Sequence, residues 1–391
     1  MFMKKSLLQI LFIGYSLFSF AQVDSISTIP PEYIVPIENV ESELINELTI
    51  IELKEKILRN NFIVIGETHG VRESTDIIKQ IASTKKIDHF ISEIDSISIN
   101  HIYENIDSSS VVLQKLPGAY SMYSYKEDME LLNLLKDANT IIDGVDLLHP
   151  VSIRLILYKI SNSPNLDTKS LNKIRGLIDS HSNDLTKGYL SAKTNKNTVK
   201  LLAKLMEKCP EYERSLIRYI LNNKYPYNMM SARAVYMINR MKKIVANADL
   251  LQQNVLFKFG ASHTIKTSNT AGLHDVGYYI DSLSKQKLVN AYFLTIVPVS
   301  GKIGLPFEIN GMTTKGFDFN SKYYESLHNL YKSLNQVNSS LFIDVESFKQ
   351  SLDDRTVISK ELKDILDKYD GIIFIEQVTP SQLLKTIANT R

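Results

Sequence analysis

The segment FIVIGETHG at positions 62–70 joins a short apolar run to a turn that carries an acid and a histidine. A continuous apolar run rich in β-branched residues is typical of a strand covered on both faces, as in a parallel sheet. Gly66 and Gly70 flank the acid and the histidine, and glycine allows tight turns and a close approach to the backbone. The segment therefore predicts a buried strand that ends in a polar turn.

Apolar periodicity on both sides of this segment predicts alternating helices and strands. The predicted helices near it span 39–60, 72–83 and 125–136, and the further predicted strands span 89–94, 140–145, 255–259, 291–297, 341–344 and 372–375. Between the third and fourth strands, residues 151–246 show helical periodicity almost throughout. The order predicts an α/β fold with a mostly parallel central sheet flanked by helices, and a helical insertion at about 151–246 that acts as a cap.

The first residues have the pattern of a secretory signal. Two lysines lie within the first five residues, a mostly apolar run covers 6–20, and Ser-Phe-Ala at 19–21 resembles a cleavage site. We therefore predict a signal peptide at 1–21, a linker at 22–38 and one α/β domain at 39–391. The protein is expected to be exported, to the periplasm or outside the cell, and to keep no transmembrane segment after cleavage.

Composition excludes some classes of function. The formal net charge of +2 and the even mix of signs argue against a nucleic-acid groove, so we expect no nucleic-acid partner. The single cysteine, Cys209, excludes an intramolecular disulfide framework.

Acids and histidines follow four of the predicted strands. These strand ends and the turns after them carry Glu67, His69, Glu73, Glu93, Asp95, Asp146 and His263. In an open parallel sheet, ligands bind beyond the carboxyl ends of the strands, so these side chains are candidates for one site. Alternatives remain open for single members. Glu67 could cap the following helix, His69 could be a hydrogen-bonded turn residue, and Asp95 or Asp146 could be a helix cap. The other six histidines have no such setting and are predicted to be structural.

Two glutamates and two histidines can support two kinds of chemistry. An imidazole paired with a carboxylate can activate water, with a second imidazole assisting. Alternatively, two histidines and a glutamate can ligate a hydrolytic zinc ion. The sequence has no His-Glu-x-x-His segment, no Gly-x-Ser-x-Gly elbow and no phosphate-binding lysine loop. These absences argue against a serine hydrolase of the usual α/β type and against a P-loop enzyme.

Several short motifs resemble the erythromycin esterase-like proteins, whose superfamily includes the haem-binding ChaN lipoproteins and the TraB/Tiki proteins. The motifs are IGETHG at 65–70 followed by Glu73, ISEID at 91–95, DGVD at 143–146, SARA at 231–234, His263, FIDV at 342–345 and YDGIIF at 369–374. The resemblance implies a metal-independent hydrolase in which His69 is the general base and Glu67 and Glu93 orient it. It also implies that His263 and Arg233 bind or polarise an ester of a small-molecule substrate, and that no cofactor is needed.

The same superfamily implies two alternatives. Only Thr68 separates Glu67 from His69, a spacing closer to the ChaN-like arrangement than to the esterases. A ChaN-like protein would bind haem iron, for which Tyr120, Tyr123 and Tyr125 could supply phenolate ligands. A Tiki-like protein would bind a divalent metal through His69, Glu93 and His263.

Overall fold

The structure, a computed structural model, describes only part of the chain. The described residues are 35–37, 47–106, 109–116, 118–180, 196–222, 230–247, 249–268, 272–309, 312–318, 324–334, 340–351 and 360–384. The predicted signal peptide therefore lies outside the described residues. Of the predicted linker only Val35–Ile37 is described, and it forms an edge strand instead of a free connection. Pro36 is tolerated there because an edge strand has an unpaired side.

Nine described strands form one mixed sheet. They are β1 Val35–Ile37, β2 Phe62–Glu67, β3 His89–Ser92, β4 Ile141–Gly144, β5 Val255–Gly260, β6 Ala291–Ile309, β7 Met312–Gly316, β8 Ser340–Asp344 and β9 Gly371–Val378. The spatial order is β1-β8-β9-β6-β2-β5-β3-β4, with β7 paired to β6. All pairs from β9 to β4 are parallel, and β1, β7 and β8 pair antiparallel. The predicted mostly parallel α/β sheet is confirmed.

Helices cover both faces of this sheet. The described α-helices are Glu47–Arg59, Arg72–Thr84, Ser96–Glu104, Ser109–Lys115, Lys126–Asp137, Ile153–Ser161, Thr168–Ser180, Lys196–Met206, Glu211–Asn222, Met230–Asn247, Val276–Lys287, Glu325–Leu334, Val345–Ser351 and Lys360–Lys368. None of these helices is long and apolar enough to cross a membrane.

The apolar run of β2 packs into two separate cores. Its even-numbered apolar residues pack with the helices Met230–Asn247 and Val276–Lys287. Its odd-numbered ones pack with Arg72–Thr84 and Lys126–Asp137 on the opposite face. Side chains alternate along a strand, so a strand covered on both faces needs an apolar residue at every position. Each such burial stabilises the fold by about 1.5–3 kcal/mol.

The predicted helical insertion divides into two parts. Its four earlier described helices, from Ile153–Ser161 to Glu211–Asn222, bury apolar side chains among one another, and Cys209 from the turn before the last of them packs in the same core. The last helix, Met230–Asn247, instead packs on the sheet through Met237, Met241 and Ile244. The separate helical core therefore ends before Met230, and the last helix of the predicted insertion belongs to the layer that covers the sheet. The role of this segment as a cap stays a prediction.

The turn after β2 is fixed by close backbone contacts. Gly70 has a φ of +78°, which favours glycine, and its carbonyl accepts hydrogen bonds from the amides of Gly304 (2.7 Å) and Ser381 (2.9 Å). A β-carbon at Gly70 would lie 2.3 Å from the Gly304 carbonyl oxygen, and one at Gly66 would lie 2.2 Å from Thr264 Oγ1. Both glycines are therefore required by close approach, and the turn is attached to β6 and to the segment after β9.

Candidate active site

A cavity of about 360 Å³ opens at the carboxyl ends of β2 and β5. It is lined by Glu67, Thr68, His69, Glu93, Met122, Met230, Arg233, residues 260–263, residues 303–306, Lys315 and Tyr324. The carboxyl ends of parallel strands meet at one edge, which is why residues far apart in sequence converge here. The structure thus brings together the four predicted catalytic residues, Glu67, His69, Glu93 and His263, and places Arg233 beside them.

His69 lies between two carboxylates. Its Nδ1 is 2.9 Å from Glu67 Oε1, and its Nε2 is 3.5 Å from Glu93 Oε2. The side chain of His69 is 24% exposed, whereas both glutamates are buried. His69 is therefore the member of this chain of contacts that a molecule in the cavity can reach.

A buried lysine that the sequence analysis missed lies behind Glu67. Lys258 of β5 is 2% exposed, and its Nζ is 2.5 Å from Glu67 Oε1 and 3.2 Å from Asp128 Oδ1. The same ammonium lies 4.7 Å from the centre of the Tyr123 ring. The sequence does indicate such a contact, because a charged side chain within the apolar run of a fully covered strand needs a partner of opposite charge.

Glu93 is held from several sides. Its Oε2 accepts a 2.5 Å hydrogen bond from the Gly260 amide, and its Oε1 accepts one from Arg233 and lies 3.4 Å from His263 Nε2. A β-carbon at Gly260 would lie 3.0 Å from His69 Nε2 and 3.2 Å from Glu93 Oε2. Gly260 therefore leaves the space in which His69 and Glu93 approach each other.

Arg233 and His263 each have a carboxylate behind them. Arg233 donates from Nε to Asp146 Oδ1 (2.8 Å) and from Nη2 to Asp146 Oδ2 (2.6 Å), in a bidentate pair. His263 Nδ1 lies 2.8 Å from Asp275 Oδ2, and Asp275 also caps the helix Val276–Lys287. Asp146 therefore positions Arg233 without lining the cavity. Asp275 was not predicted as a site residue, because in the sequence it stands out only as an acid before a helix.

These contacts decide the charges of the site. Burial would lower the pKa of His69, but its hydrogen bonds to Glu67 and Glu93 raise it to about 9. Burial would raise the pKa of Glu93, but the charges of His263 and Arg233 hold it well below its usual value. Lys258 and His69 likewise outweigh burial and lower the pKa of Glu67. At neutral pH, His69 is thus an imidazolium between two carboxylates.

Two predicted site residues lie away from the cavity. Glu73 accepts hydrogen bonds from the amide of Thr379 (3.0 Å) and from its hydroxyl (2.5 Å), so it anchors the segment after β9. Asp95 caps the helix Ser96–Glu104 through the amides of Ile97 and Ser98. Neither carboxylate is placed to contact a substrate in this cavity, and the capping alternative holds for Asp95.

The tyrosines proposed as haem ligands have structural roles. Tyr120, Tyr123 and Tyr125 are all buried, and none lines the cavity. The Tyr125 hydroxyl donates to the Gly304 carbonyl at 2.9 Å. Burial raises the pKa of Tyr123 and Tyr125, which disfavours a phenolate. These three residues therefore do not fit the predicted haem-ligand role.

The predicted metal ligands do not fit an ion either. Among the described residues, no group of three His, Cys, Asp or Glu side chains is placed to hold a metal ion. Arg233 donates to Glu93 Oε1, the oxygen that faces His263. Because a cationic guanidinium occupies this position, a second cation would be repelled from it.

Solved structures of low sequence identity share the fold. A protein from Bacillus cereus is 17% identical over 90% of this chain and 97% of its own, with a TM-score of 0.50. A succinoglycan biosynthesis protein is 14% identical over 93% of this chain and 99% of its own, with a TM-score of 0.54. A mutant of the erythromycin esterase EreC, in its open conformation, is 11% identical over 86% of this chain and 95% of its own, also with a TM-score of 0.54.

The chain shares the fold of an erythromycin esterase. No protein-family model and no curated protein sequence matches it. Sequence identities of 11% to 17% establish a shared fold and carry no activity from one protein to another.

Proposed function

We propose that the chain hydrolyses an ester or a related acyl bond of a small molecule in the cavity beside His69. The observation that carries the proposal is the Glu67–His69–Glu93 chain of contacts, whose one exposed member faces the cavity. The fold shared with an erythromycin esterase also supports it. A cavity of about 360 Å³ suits a small molecule.

The proposed reaction uses His69 as the base. Neutral His69 accepts a proton from water through Nε2, while Glu67 holds Nδ1 and so orients the ring. The water oxygen attacks the carbonyl carbon, and the carbonyl oxygen becomes an oxyanion. Arg233 and His263, whose Nη1 and Nε2 lie 3.4 Å apart, are placed to stabilise that charge. The tetrahedral intermediate then breaks its bond to the leaving oxygen, which takes the proton from His69.

This role for His69 predicts an alkaline pH profile. Only neutral His69 can accept a proton, and its raised pKa of about 9 leaves a small neutral fraction at pH 7. We expect kcat/KM for chromogenic esters to rise about tenfold for each pH unit below this pKa and to level off above it. The profile is measured from pH 6 to pH 10, with the rate of a His69→Ala variant subtracted at each pH. A kcat/KM that falls as the pH rises through 9 would assign His69 the role of an acid and contradict the proposal.

We also propose that the protein is exported. The proposal rests on the charged, apolar and small-residue pattern of residues 1–21. Expression in a bacterial host followed by N-terminal sequencing should give a mature protein that begins at Gln22. A chain that keeps Met1 and stays in the cytoplasm would contradict it.

A further inference from the structure

The cavity has two chemically different walls. Its inner wall carries the ionic groups, and each glutamate there is already bound to a cation, Glu67 to Lys258 and Glu93 to Arg233. Its outer wall comes from the β6–β7 hairpin, which contributes the apolar residues Ile303, Leu305 and Pro306. Every cation of the inner wall, including the imidazolium of His69, already contacts a carboxylate, so a ligand meets no unpaired charge on this wall.

One cation that lines the cavity is not paired in this way. Lys315 of β7 is exposed, lies opposite Ile303 in the hairpin and lines the cavity. No carboxylate in the described parts of the chain forms an ion pair with it. The acids that line the cavity, Glu67 and Glu93, are bound elsewhere. An ammonium beside an apolar surface attracts an anion that also carries an apolar part.

Two methionines extend the apolar surface. Met122 and Met230 line the same cavity as the hairpin residues. Methionine is flexible and polarisable, so it adapts to an irregular or variable apolar ligand. The wall therefore suits an aliphatic or otherwise variable apolar body better than a ligand that needs many directed hydrogen bonds.

We propose that the cavity takes an amphiphilic anion, with a carboxylate at Lys315 and an apolar body against Ile303, Leu305 and Pro306. The inference rests on the proposed function, because it names the substrate class of the same site. The bond to be cleaved would then lie beside His69, on the inner side of the apolar body. Lys315 acts here as a specificity residue that binds the substrate and leaves the reacting atoms to the inner wall.

Octanoate and octanamide test this inference, because they share an apolar chain and differ in charge. Their dissociation constants are measured by calorimetry at pH 7 for the wild type, Lys315→Met and Lys302→Met. Lys302 is the matched control, since it is exposed on the same hairpin and does not line the cavity. We expect the wild type and Lys302→Met to bind octanoate at least about fivefold more tightly than octanamide, and Lys315→Met to bind the two about equally.

Each other outcome overturns the inference. Equal binding of both ligands to the wild type, or no binding of either, would show that the cavity does not select an amphiphilic anion. If Lys315→Met still prefers octanoate, the carboxylate binds at another position. If Lys302→Met loses the preference for octanoate as fully as Lys315→Met does, the preference comes from the general surface charge of the hairpin. Because binding is measured without turnover, a protein that binds as expected and cleaves no ester would refute the proposed hydrolysis alone.

Discussion

Replacement of His69 by alanine is expected to lower kcat/KM for ester hydrolysis by about 10²- to 10⁴-fold, the usual contribution of a general base. The fold should survive, because Glu67 keeps its contact with Lys258 and Glu93 keeps those with Arg233 and Gly260. Activity per folded molecule is measured with a chromogenic ester above pH 9, and the folded fraction by circular dichroism. A variant that is folded and inactive supports a chemical role for His69.

His89→Ala is the matched control for this loss. His89 is likewise a histidine paired with a carboxylate, Asp143 Oδ2 at 2.8 Å, but it is buried at the amino end of β3, away from the cavity. Its removal should cost stability and leave kcat/KM per folded molecule near the wild-type value. If His69→Ala retains wild-type hydrolysis, or if both variants lose it equally, the assignment of His69 as the base is refuted.

The sheet and the convergence of the site residues could be predicted, because both follow from the pattern of apolar runs along the chain. A continuous apolar run such as 62–65 requires cover on both faces, and the carboxyl ends of parallel strands share one edge. Glu67, Glu93 and His263 follow such strands, and all three line one cavity. The same rule gives no side-chain direction. Glu73 therefore counted as a site residue, although it turns away to bind Thr379.

The supporting charges could not be predicted because they depend on packing between distant elements. Asp128 reaches Lys258 only because the helix Lys126–Asp137 lies over β5 in the folded protein. The outer wall was missed for a different reason. Residues 298–316 include Pro298, Gly301, Gly304 and Pro306, which disfavour strands, yet β6 continues to residue 309 by pairing with its neighbours.

Replacement of Lys258 by methionine is expected to destabilise the protein by about 3–5 kcal/mol at pH 7, because removal of one buried charge leaves its partners uncompensated. Glu67 and Asp128 would then be two buried carboxylates without their shared ammonium. Burial already raises the pKa of Asp128 to about 6 with the lysine in place. The free energy of unfolding is measured by urea denaturation at pH 7 and at pH 5.

Lys79→Met is the matched control, since Lys79 also contacts two carboxylates, Asp76 at 2.8 Å and Glu130 at 2.7 Å, but all three of these side chains are partly exposed. It should cost at most about 1 kcal/mol.

The pH dependence of stability separates the two variants further. Loss of the Lys258 charge raises the pKa of Asp128 further and removes one of the two groups that lower the pKa of Glu67, so the folded variant binds more protons than the folded wild type and the cost of the substitution grows as the pH rises. The cost of Lys258→Met should therefore be smaller at pH 5 than at pH 7. Equal costs for the two lysines would mean that water enters behind Glu67 and that this carboxylate can turn away from His69.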